Sequence, residues 1–215
     1  MKRYILYILI LVFIIGNVAL ADESKEGNIN WWKNAFGYVD ASDNPNVERA
    51  NSVLKALWQS LQPQVVKTPR LLVIPKKHTQ WLESWAISIA DGSIILAEDL
   101  FDIVFLENNN QSKTPDSMMA FILAHELGHI VHEDHKRFGP TMLFSSKTDS
   151  AKARAALDAE LSADQFGIFS ITQAGYEPKY IVDKGKASFF YTYESQIRSK
   201  LNGIILKGKF LHPDP

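Results

Sequence analysis

The 215-residue chain contains no cysteine. Disulfides, thiolate metal sites, cysteine nucleophiles and lipidation of a mature N-terminal cysteine are therefore excluded. Any metal must be held by histidine and carboxylate. An excess of charge is also missing: 23 Lys and Arg stand against 24 Asp and Glu, a formal net charge of -1. With no basic stripe and no aromatic-interleaved Lys/Arg run, nucleic acid is not expected as a partner. After residue 21 no apolar run is long enough to be expected to span a membrane. Internal repeats and low-complexity segments are absent as well. The length suits one domain with a substantial core.

What is present starts with a short positive head, Met1-Lys2-Arg3, followed by an unbroken apolar run from Tyr4 to Ile15. Gly16-Asn17 interrupts the run, and Ala19-Leu20-Ala21 places small residues at a cleavage spacing. This is the layout of a secretory signal peptide over residues 1–21, with a mature chain from Asp22 that is periplasmic or secreted. An uncleaved membrane anchor is the weaker alternative, because the apolar core falls short of about 20 residues.

The remaining pattern predicts an α+β fold, mostly helical with a small sheet. Residues 22–44 read as an irregular lead-in, and the main domain is expected over 45–215. Asn44-Pro45 opens a helix whose apolar positions Val47, Ala50, Val53, Leu54, Leu57 and Leu61 recur at helical spacing. RLLVIP, residues 70–75, is a short strand ended by Pro75. WAISIA (85–90) and SIILA (93–97) flank Asp91-Gly92, which predicts a hairpin with a two-residue turn at positive φ. Thr114-Pro115-Asp116 starts a helix. A further helix is expected from Ser150 to Ala174, with Gly175 past its end as a C-cap. Pro178 opens a last helix to about Lys200.

Four of the six histidines lie in FILAHELGHIVHEDH, Phe121 to His135. On a helix, His125 and His129 of HELGH stand one turn apart on the same face, where both imidazoles can grip one ion. Glu126 is rotated by about 100° from His125, so it can flank the ion without ligating it. That position suits a base acting on water made acidic by zinc. Gly128 leaves room for another backbone to pack closely on the helix.

Two candidates exist for the third protein ligand. His135 completes the H-E-x-x-H-x-x-x-x-x-H spacing of metzincin peptidases. The glycine that normally makes the turn before that histidine is replaced here by His132, which would be strained at positive φ. Nothing after Met142 supplies the methionine turn that such enzymes need. The favoured candidate is Glu160 of DAELSADQFG, in the middle of a predicted helix and 31 residues after His129. Asp164, four residues on, shares its face and can accept a hydrogen bond from the outer ring nitrogen of a ligating histidine.

HELGH followed by E-x-x-A-D resembles gluzincin zinc metallopeptidases of the HtpX and CAAX-prenyl-endopeptidase type, in particular their soluble exported bacterial branch. The resemblance covers roughly residues 45–215 and extends to GYEP (Gly175 to Pro178) and to His212-Pro213. It implies a zincin-like fold with a small sheet beside the HExxH helix. It also implies one zinc ion per chain on His125, His129 and Glu160, with Glu126 as catalytic base and Asp164 behind the ligands. His212 would face the site as a catalytic residue or cap the zinc. The family's arginine a few residues beyond H-P has no counterpart before Pro215, and the transmembrane helices of its multi-span members have none either.

The expected activity is endopeptidase cleavage of extended or misfolded polypeptide in periplasmic quality control. SIILA is the candidate edge strand for holding such a substrate by main-chain hydrogen bonds, with a plain core strand as the equal alternative. The alternative from another class is a non-catalytic, zinc-containing periplasmic chaperone or assembly factor. Of the other histidines, His132 and His135 are expected to trail off the helix end, and His78 to sit in a surface loop.

Overall fold

The computed structural model describes residues 25–61, 67–82, 84–105, 114–139 and 150–182. The signal segment 1–21, His212 and all but the start of the expected last helix lie outside these residues.

The stretch read as an irregular lead-in carries helix α1, Ile29–Phe36. Asn28 caps it by accepting the Asn30 N–H, and Ile29 and Trp32 face the core. The short span and the mixture of Asn, Lys and aromatics hide its periodicity in the sequence. Tertiary bonds hold it: Asp91 Oδ2 accepts the Ile29 N–H at 2.9 Å, and Trp32 Nε1 donates to the Glu26 carbonyl at 2.8 Å. Helix α2, Pro45–Ser60, follows as expected, capped by the Asn44 side chain and burying Val47, Ala50, Val53, Leu54 and Leu57.

Strand β1, Arg70–Ile74, leads through a 3-10 helix, Lys76–Trp81, to β2, Ala86–Ser88, and β3, Ser93–Ala97. The sheet order is β1-β3-β2, with β1 parallel and β2 antiparallel to β3. SIILA is thus the central strand, buried at every position, which is the core-strand alternative and not the substrate-holding edge. An unbroken apolar run with no polar alternation is the pattern of a strand covered on both faces.

The hairpin is present, but its turn differs from the two-residue form. The Gly92 N–H bonds the Ile89 carbonyl and the Ile89 N–H bonds the Ser93 carbonyl, both at 2.9 Å. Only Gly92 is left-handed, at φ 84°. This is a longer turn closed by a glycine bulge. Asp91 acts as its tie: Oδ1 accepts the Ser93 N–H, while Oδ2 meets Ile29 N–H and the Arg70 guanidinium.

A short helix α3, Leu100–Val104, precedes the long helix α4, Thr114–Val131. Then come a single turn α5, His135–Phe138, the second long helix α6, Ser150–Gln173, and the start of α7, Lys179–Val182. Gly175 ends α6 as expected. At φ 81° it lets Tyr176 N–H reach the Ile171 carbonyl and its own N–H reach Thr172. Helix α4 packs on β2, α2 and α6 and lies at the centre of the apolar core. Among the described residues, no helix is long and apolar enough to cross a membrane.

Candidate metal centre

Met119 to Ala124 and Leu127 of α4 are all buried, so polar groups on this helix must find partners inside the protein. They enter at His125, Glu126 and His129, and His129 is only 2 % exposed.

Helix α6 approaches α4 backbone to backbone. A Cβ added to Gly128 would stand 3.0 Å from Ala163 Cα and 3.3 Å from Phe166 Cβ. On the other helix, a Cβ at Gly167 would stand 3.0 Å from the Phe121 ring and 3.4 Å from the His125 backbone nitrogen. Each helix therefore presents a bare patch to the other. Ala163, fully buried, lies between Glu160 and Asp164, so the contact that demands a small residue also aims both carboxylates at α4.

Asp164 Oδ1 lies 2.9 Å from His125 Nδ1. Glu160 spans the two imidazoles, with Oε2 3.3 Å from His125 Nε2 and Oε1 3.7 Å from His129 Nε2. The two Nε2 atoms are 3.1 Å apart. Ligand atoms at zinc bond lengths and tetrahedral angles are separated by about 3.3–3.6 Å. The three spacings cluster around that range, so His125, His129 and Glu160 fit one small ion with little adjustment. All three candidate ligand atoms lie within 4.8 Å of one another.

The electrostatics also call for a cation. Burial works against a charge on His125, yet the neighbouring Asp164 and Glu160 carboxylates outweigh it and hold its pKa well above the usual histidine range. Glu126, 6 % exposed, adds its negative charge near His125. Among the described residues no hydrogen bond engages its carboxylate.

One carboxylate of the site escaped the sequence reading. Asp134 Oδ2 lies 2.9 Å from His129 Nδ1, and both side chains are almost fully enclosed. The end of α4 delivers it. Glu133 adopts φ 55°, the left-handed region, and the Glu133 N–H bonds the Ile130 carbonyl while the Asp134 N–H bonds the His129 carbonyl. This is the helix ending that Gly175 provides for α6, built here on a non-glycine residue at a steric cost of about 1 kcal/mol. The available signal was an acidic residue five positions after the second histidine, at the point where the helix must stop.

The other histidines are placed as follows. His132 is exposed and meets the Phe166 ring edge-on at 5.8 Å. His78 belongs to the 3-10 helix and packs on Phe36 at 6.1 Å, instead of sitting in a loop. His135, the rival third ligand, starts α5 and is not part of the ion-sized cluster. Both its ring nitrogens are buried with no hydrogen-bond partner among the described residues. Burial, with His129 nearby, lowers its pKa to about 4, against the weaker opposing pull of Asp134 and Asp91.

Residues 86–176 match the family model described as peptidase family M48. The matched segment runs from β2 to the residue after Gly175 and contains every group of the centre described above. No curated protein and no solved structure matches the chain.

Two outcomes follow from the geometry. Gly128→Ala forces a Cβ against the Ala163 backbone and is expected to destabilise the metal-free protein by about 1–3 kcal/mol in denaturant unfolding. No loss would show that the helices are farther apart. His135 has a folded pKa of about 4 against an ordinary 6.5, so between these values the unfolded chain binds the extra proton. Stability is expected to fall as pH drops from 6.5 towards 4. In His135→Leu that part of the slope should vanish in urea midpoints measured across the range, and an unchanged slope would contradict the assignment.

Proposed function

Because residues 86–176 match the model of peptidase family M48, we propose that the protein is a zinc-dependent endopeptidase acting on extended or misfolded polypeptide. The observation that carries this reading is the arrangement at one spot. His125, His129 and Glu160 form an ion-sized cluster, with Glu126 beside it and its carboxylate in no hydrogen bond among the described residues. Two imidazoles and one carboxylate are a donor set suited to zinc with a position left open for substrate or water.

When bound, the ion supplies Lewis acidity, which brings the pKa of a water down to about 7 and polarises a substrate carbonyl. The chain's own residues do the rest. Asp164 holds the His125 imidazole by Nδ1 and keeps it turned so that its Nε2 faces Glu160. Glu126 accepts the proton of the attacking water through its carboxylate. It then gives that proton to the amide nitrogen as the C–N bond breaks, leaving a free amine and a carboxylate product. Glu126 is only 6 % exposed, and the low dielectric of such a place strengthens each charge interaction there.

The strand that can hold a substrate is β2 and not β3. Trp85 and Ile89 bond to β3 through the Trp85 carbonyl and the Ile89 N–H. By alternation, Ala86 and Ser88 direct their main-chain groups away from β3. Among the described residues no strand covers that side, and β2 packs directly on α4. Ala86 and Ser88 are 2 % and 0 % exposed, so an extended peptide would pair with this edge by backbone hydrogen bonds, with little sequence demand, only where the groups covering it give way. The layout of residues 1–21 supports work in the periplasm or outside the cell. By the family resemblance, His212 would join the site as a donor to the developing oxyanion.

Casein cleavage by the purified protein provides the test. Glu126→Gln keeps the three proposed ligands and should bind zinc as the wild type does, while its kcat falls by about 10²-fold or more. Equal cleavage by both proteins would remove Glu126 from the chemistry. Zinc binding without cleavage by either would favour a non-catalytic chaperone.

A further inference from the structure

We propose that Asp134 is a positioning residue for the metal centre, holding the His129 imidazole so that Nε2 points at the ion. The inference rests on the zinc reading above and extends it to a residue outside the HExxH and ExxAD motifs.

Three observations carry it. The carboxylate is where it must be: Asp134 Oδ2 lies 2.9 Å from His129 Nδ1, with side-chain exposures of 3 % and 2 %. An acceptor at that distance makes Nδ1 the protonated nitrogen and leaves the lone pair on Nε2, the atom that faces His125 and Glu160. The contact is also stiff. The Asp134 N–H bonds the carbonyl of His129 at 3.1 Å, so backbone and side chain tie the same two residues together twice. Finally, the ordinary structural use of this aspartate is not made. Asp134 is the N-cap of α5, yet its side chain forms no capping hydrogen bond there. An aspartate that precedes a helix normally accepts from its first turn, and this one is turned back to His129 instead.

The two histidines are thus oriented from different sources. Asp164 reaches His125 from α6 and keeps a side-chain exposure of 21 %. Asp134 reaches His129 from the end of the same helix and is sealed from solvent. The strained φ of Glu133 makes this possible, since a helix continuing straight would carry residue 134 past the ring. Strain of this kind persists where the surrounding structure requires it.

Asp134→Asn keeps the shape of the side chain and a carbonyl that can still accept from Nδ1, but removes the charge. Zinc affinity measured by competition with a chromogenic chelator at pH 7.5 is expected to weaken by about 10–100-fold, as for other carboxylates behind a histidine ligand. Asp164→Asn serves as the yardstick on the other histidine. Cobalt(II) at saturating concentration gives a second readout on the loaded protein, and its visible absorption band should shift in Asp134→Asn because the ligand field of His129 changes. A dissociation constant within about twofold of wild type, with an unchanged cobalt band, overturns the proposal even if thermal stability falls, because a purely structural role moves only the latter. A wild-type chain that takes up no zinc removes the zinc reading and this inference together, whereas equal zinc affinity of wild type and variant removes this inference alone.

Discussion

The backbone contact between Gly128 and Ala163 is the constraint on which the centre depends. Two imidazoles on one helix can point at a common spot by spacing alone, but the third ligand has to come from another chain segment. It arrives at the right depth only because α4 and α6 meet where neither carries a bulky side chain. A Cβ on Gly128 would stand 3.0 Å from the facing backbone, and one on Gly167 equally close to Phe121. At a looser separation, Glu160 would withdraw from both Nε2 atoms, and Asp164 from Nδ1. The alanine in Glu-Leu-Ser-Ala-Asp is in this sense as much a part of the site as the acids around it.

The second constraint is charge. Glu126, Glu160, Asp134 and Asp164 surround two imidazoles in a largely desolvated place. Buried carboxylates at this density are unfavourable unless a cation accompanies them. The upward pull on the His125 pKa expresses the same demand in the metal-free state. A divalent ion meets it better than a proton, and the apolar envelope of α4 keeps water from meeting it instead.

Much of this was legible in the residues. The helix of His125 and His129, the carboxylate helix with Glu160 and Asp164, the close-packing role of Gly128 and the cap at Gly175 all follow from spacing and side-chain size. These are local properties, and local properties can be read along a chain. The features that were not legible depend on pairing across the fold. SIILA became the central strand because β1 returns to pair with it in parallel, and no periodicity inside five residues announces its neighbours. The Asp91-Gly92 turn gained a bulge because Asp91 also serves Ile29 and Arg70. Helix α1 was hidden because its span is short and mixed in composition, and because Asp91, which fixes its start, lies 62 residues away in sequence. Asp134 was overlooked for another reason: its role needs a left-handed glutamate, a conformation that sequence reasoning rightly treats as uncommon.

The central claim is that the ion is held by His125, His129 and Glu160, with His135 left out. Metal content after zinc loading and gel filtration, measured by atomic absorption on wild type, Glu160→Ala and His135→Ala, tests it most directly. One zinc per chain in the wild type and in His135→Ala, with a near-complete loss in Glu160→Ala, is the predicted result. Retention of zinc by Glu160→Ala together with its loss from His135→Ala would contradict the account.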